Sequence, residues 1–85
     1  MLRREEIRSE VLSLIRMQSY WIKNNSLNFI DKIRRERPIT KKQSDSLNQI
    51  KKSIENIRID YWQTHLDYEV ICQIKNLVLE IRMLF

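Results

Sequence analysis

The chain contains no glycine. That absence limits its folds more than any motif does. Glycine is the residue that enters turns of positive φ and closes helix C-termini without steric cost. Asn is the only good substitute here, so few tight turns and few strand hairpins are available. Leu, Arg, Lys, Gln and Glu are abundant and are good helix formers. The expectation is an all-α chain of long helices. At 85 residues it makes one domain, 1–85. A chain of this size buries only about 60% of its unfolded surface, so a partner or a second copy would help it.

Apolar spacing draws two stripes. Ile7, Val11, Leu14, Ile15, Trp21 and Ile22 recur at helical intervals, and Phe29, Ile30 and Ile33 continue them. Asn24-Asn25-Ser26 interrupts the series, but Ile22 and Phe29 are one heptad apart, so the phase survives. This predicts one helix over about 3–36, with a possible bend near Asn25. Pro38 ends it, because the residue before a proline is pushed out of the α region. After a turn at 37–40, Thr40-Lys41-Lys42-Gln43 has the form of a capping box, in which Thr at the N-cap and Gln at N3 satisfy two free backbone N–H groups. A helix is predicted to start at Lys41. Leu47, Ile50, Ile54, Ile57, Tyr61, Tyr68 and Ile71 then keep heptad spacing. Ile71, Ile74, Val78, Ile81 and Phe85 repeat it after a three-residue skip. This gives a helix over about 41–84, with a possible break near 60–68, where Asp60-Tyr61-Trp62-Gln63 could form another cap. Unbroken, the two helices would be about 51 and 66 Å long.

The resulting architecture is an antiparallel helical hairpin with a coiled-coil-like seam, or a small three-helix bundle if the break near Asp60 is real. In the hairpin the second arm overhangs the first. Ile71, Ile74, Val78, Ile81 and Phe85 then have no internal partner and should lie in a protein interface, so that the chain self-associates as a dimer or larger species. In the bundle the same segment is a core helix.

The net charge of +5 is unevenly placed. Lys32 to Lys52 holds eight cations against Glu36 and Asp45, whereas the remainder is nearly balanced. Arg34, Arg35, Arg37, Lys41, Lys42, Lys51 and Lys52 form a candidate basic site for nucleic acid or an acidic partner. The competing reading is a solvated turn. Trp62 and Leu66, with Ile59, lie on a different side of their helix from Leu47, Ile54 and Tyr61. That spare aromatic strip is the kind of anchor that protein interfaces use.

Catalytic constellations are missing. A Gly-rich phosphate loop is excluded, His65 is the single histidine, and no cysteine–histidine ligand set exists. No enzymatic activity, metal or cofactor is expected. Cys72, in the run Val70-Ile71-Cys72-Gln73-Ile74, reads as a small buried apolar residue. No uncharged stretch approaches the roughly 18 residues of a membrane span. Met1-Leu2-Arg3-Arg4-Glu5-Glu6 lacks the apolar core of a secretory signal. A soluble, cytoplasmic protein in a reducing compartment is expected, with no membrane partner.

Two stretches resemble known families. Phe29, Ile33, Pro38-Ile39-Thr40-Lys41-Lys42-Gln43, Leu47 and Ile50 resemble a short helical module of phage proteins. That likeness implies a phage or mobile-element accessory protein, often near nucleic-acid machinery. Ser9-Glu10-Val11-Leu12-Ser13-Leu14-Ile15-Arg16 resembles the start of LYR-motif proteins, with Leu14 and Arg16 matching and Ile15 in place of the motif's Tyr. It implies an accessory subunit of an organellar assembly. The functional expectation is a small accessory or inhibitory factor that docks on a partner protein through an aromatic helical face. The alternatives are a nucleic-acid-binding protein and the LYR-like subunit.

Overall fold

Thr40 opens a helix as its sequence requires. Its Oγ1 accepts from the Gln43 N–H at 3.1 Å, and the Gln43 Oε1 accepts from the Thr40 N–H at 3.0 Å. In the computed structural model, which describes residues 1–85, this is the third of four helices. Helix α1 spans Arg4–Ile15, α2 Trp21–Glu36, α3 Lys41–Asn56 and α4 Tyr68–Met83. There is no strand.

The predicted long helices are each divided. The first breaks at Arg16–Tyr20 rather than bending near Asn25. Asn24-Asn25-Ser26 lies inside α2, with the two Asn exposed and Ser26 fully buried at a core register. The Ser26 hydroxyl has no partner there. The real break needs no helix breaker. Arg16 and Tyr20 keep right-handed helical angles, and i to i−3 bonds close both sides, from Met17 N to Leu14 O and from Lys23 N to Tyr20 O. Ser19 Oγ also accepts from the Trp21 N–H at 3.2 Å. No residue of the chain has positive φ. Every turn is therefore made without the conformation glycine provides.

The second long helix breaks over residues 57–67, close to the predicted interval. Asp60 Oδ1 caps only a local turn, by accepting from the Trp62 N–H. Asp67 is the true N-cap of α4, accepting from the N–H groups of Glu69 and Val70. At the proline turn, Arg37 takes extended angles, as a residue before proline should.

The four helices run up, down, up and down. Neighbours in sequence pack together, α1 closes the ring against α4, and α2 meets α4 across the diagonal. Ile7, Val11 and Leu14 of α1 and Ile22, Phe29, Ile30 and Ile33 of α2 enter one buried cluster. They meet Leu47, Ile50 and Ile54 of α3 and Ile74, Val78 and Ile81 of α4. Phe29 and Ile33 of α2 and Leu47 and Ile50 of α3 thus enter one core from the two arms of a helical hairpin.

The fold is a small bundle, of four helices rather than three because the first long helix also breaks, and no arm overhangs. Its longest dimension is 41 Å, well short of the 66 Å arm of a hairpin. Ile71, Ile74, Val78 and Ile81 are buried in the core and do not form an interface. The 11-residue connection at 57–67 turns α4 back onto the other helices, and their shared core accepts these side chains. The ground for self-association through 71–85 goes with the overhang. No helix is long and apolar enough to cross a membrane.

Candidate functional site

The two helix breaks meet at one end of the bundle. Residues 16–20 join α1 to α2 there, and 57–67 join α3 to α4. Tyr20 ties them together. Its hydroxyl donates to Gln63 Oε1 at 3.1 Å and accepts from the Asp67 N–H at 2.7 Å. Its ring meets Tyr61 edge to face, with centroids 5.9 Å apart, a favoured aromatic geometry. Lys23 secures the same end. Its ammonium donates to the carbonyls of Ile57 at 2.6 Å and Glu55 at 3.3 Å. It thereby caps α3, whose own last turn holds no cation.

On this frame lies an open cavity of about 490 Å³ lined by Ser19, Tyr20, Trp21, Asn24, Tyr61 and Leu66. None of the six is charged. Beside it the Trp62 side chain is almost wholly in water, at 94% exposure, and Trp21 is 64% exposed. Tyr61 and Tyr68 are exposed as well. Of the interface residues expected from the sequence, Trp62 and Leu66 belong here, on a loop rather than a helical face. Phe85 lies half-buried at the far end of the bundle, with the Arg37 guanidinium 5.4 Å above its ring. Ser19, Tyr20, Trp21 and Asn24 were not singled out in advance. The signal for the aromatic members was available, since five Tyr and Trp residues exceed what so thin a bundle can bury.

The basic cluster does not survive as one patch. Arg34 reaches from α2 to α3, donating to the Ser44 carbonyl at 3.2 Å and to Asn48 Oδ1. Arg37 donates to the Leu2 carbonyl at 3.2 Å. Lys51 pairs with Asp31 at 3.1 Å, the one salt bridge in the molecule. Arg35, Lys41, Lys42 and Lys52 remain exposed without a partner. Lys52 is about 15 Å along α3 from Lys42, so only Arg35, Lys41 and Lys42 share the proline end. Cys72 is exposed, contrary to its apolar surroundings in sequence. It falls on the outer side of α4 between the core residues Ile71 and Ile74. His65 is exposed in the 57–67 connection.

The free cations were partly overlooked too. Arg4 and Arg8 of α1 and Arg82 of α4 flank a groove between these helices. They are spread too far along the sequence to register as a cluster. No family model, curated protein or solved structure matches the chain.

Proposed function

We propose that this chain is a non-catalytic accessory or inhibitory factor that docks on a partner protein through its aromatic end. The observation that carries the reading is Trp62 and Trp21 standing in water on a frame fixed by both hydrogen bonds of the Tyr20 hydroxyl. The segments that carry them are tied together before binding, so less backbone entropy is lost in the complex, and Trp and Tyr dominate interface hot spots. The uncharged lining sets the chemistry of the partner. It should insert an apolar side chain flanked by groups that hydrogen-bond to Ser19 and Asn24, and bring little charge. The phage-like and LYR-like stretches both agree with an accessory role, and neither names the partner.

The test is affinity capture from the native host with wild type and with Trp62→Ala/Trp21→Ala, followed by titration of the captured partner. Loss of affinity on the order of 30-fold, with unchanged circular dichroism, is the expected result. A partner held equally well by the double variant would move the docking site elsewhere.

Nucleic-acid binding is the second reading, favoured by the unpartnered Arg35, Lys41 and Lys42. Three phosphate contacts would give a log–log salt slope of about −2.7. Replacing the three with Gln should abolish that binding and spare the aromatic partner. A complex indifferent to salt would end this reading.

A further inference from the structure

The outer groove between α1 and α4 carries a second, independent surface. Arg4, Arg8 and Arg82 line its upper part with Leu79, Met83 and Phe85. Leu12 and Ile15 continue its floor beyond Arg8 and Arg82. Leu12, Leu79 and Met83 are exposed. None of the three arginines forms a salt bridge, and no Asp or Glu side chain lines either half of the groove. The five acids of the two helices, Glu5, Glu6, Glu10, Glu69 and Glu80, line neither half. Glu10 lines the seam towards α2 and Glu80 the seam towards α3. Helical spacing produces this sorting. Arg4, Arg8 and Leu12 recur every four residues and form one strip of α1, while Ile7, Val11 and Leu14 take the core.

We infer that this groove binds an acidic amphipathic helix of a partner protein. Two antiparallel helices leave a channel into which a third helix packs its apolar stripe. The occupant is fixed by charge. Leu12, Leu79 and Met83 take apolar side chains, and the arginine fork forms paired hydrogen bonds with carboxylates on either edge of the incoming stripe. A second copy of this chain is a poor occupant, because a two-fold contact would set arginines against arginines. The channel is about 18 Å long, the length of α1, and accommodates about 12 residues of helix. It lies on the flank of the bundle and leaves Trp62 free, so the two surfaces can fail separately.

The probe is a synthetic peptide of about 14 residues, with Leu at helical spacing and Glu elsewhere. Its controls are a scrambled peptide of equal composition, a version with Lys for Glu, and anionic phosphatidylglycerol vesicles. Each is titrated against the full chain and against Arg8→Glu/Arg82→Glu. The acidic peptide should bind wild type at least about tenfold more tightly than either control peptide, and the reversal should remove that margin. Amide shifts should move at Arg8, Leu12 and Leu79. If the reversal unfolds the chain, Arg8→Gln/Arg82→Gln serves in its place, with about a tenfold loss expected. The inference is overturned if the scrambled peptide binds as well, if the arginine variants bind unchanged, or if shifts gather around Trp62. It is also overturned if only the vesicles bind, which would make the groove a contact for lipid headgroups.

Discussion

The two ends of the bundle invert what their compositions suggest. The proline end is rich in cations, yet several of them work inside the fold. Arg37 donates to the Leu2 carbonyl and covers Phe85. The Leu2 N–H in turn donates to the Glu36 carbonyl at 2.8 Å. Gln43 caps its own helix and also donates from Nε2 to the Leu84 carbonyl at 2.9 Å. Four chain segments are thus sewn together there by polar groups. The opposite end is rich in aromatics, the residues that usually fill cores. It leaves Trp62 in water and is closed by the Tyr20 hydroxyl and the Lys23 ammonium. Residue type alone does not say whether a side chain holds the fold or faces a partner. Distance to a long-range hydrogen-bond partner does.

Substitutions can break this contrast, beginning with the strongest. Ile74→Ala should cost about 2–5 kcal/mol in thermal or denaturant unfolding, because a fully buried side chain is removed from the core. Trp62→Ala should cost no more than about 0.5 kcal/mol. Equal costs would mean that the two residues had been assigned to the wrong classes. At the proline end, Arg37→Ala should destabilise by about 2 kcal/mol through the lost charge-assisted bond to Leu2 and the bared Phe85 ring. An unchanged melting curve would return Arg37 to the pool of binding cations.

Tyr20→Phe is a subtler probe of the aromatic end. It should cost about 1 kcal/mol and raise hydrogen exchange across 57–67, since both bonds of the hydroxyl disappear while the ring contact with Tyr61 stays. Exchange rates that do not change would show the connection held by something else. The smallest effect belongs to Lys41→Gln/Lys42→Gln, which should stay within about 0.5 kcal/mol of wild type because neither side chain has a partner.

What could be read in advance follows a physical pattern. Local chemistry was legible: the Thr40–Gln43 box and the turn at Pro38 depend only on neighbouring residues. The break at Arg16–Tyr20 was not, because Arg16 and Tyr20 keep right-handed angles at its edges and the apolar phase runs from Ile15 to Ile22 undisturbed. Asp67 went unnoticed as a cap since Val70 stands where a capping box would place Glu or Gln. Ile71, Ile74, Val78 and Ile81 were misassigned for one reason. An unbroken second helix leaves an overhang, and only the connection at 57–67 abolishes it. Trp62 and Leu66 are legible as exposed apolar residues, because they lie off the main stripe. Arg34, Arg37 and Lys51 could not be separated from Lys41 and Lys42, because their partners lie 10 to 35 residues away in sequence.

The turns made without positive φ have a consequence for how this protein can vary. In most small folds a few positions admit only one residue type, and those positions anchor recognisable signatures. A glycine in a left-handed turn is the commonest of them. Here no connection needs a positive φ, and the bonds that close the connections come from the main chain and from a few side chains such as Tyr20, Lys23, Thr40 and Asp67. Substitution is then restrained by volume in the core and by a few caps, and scarcely at all by backbone geometry. Descendants of such a chain can drift far in residue identity while keeping the same four helices, with little left in common but the spacing of their apolar positions.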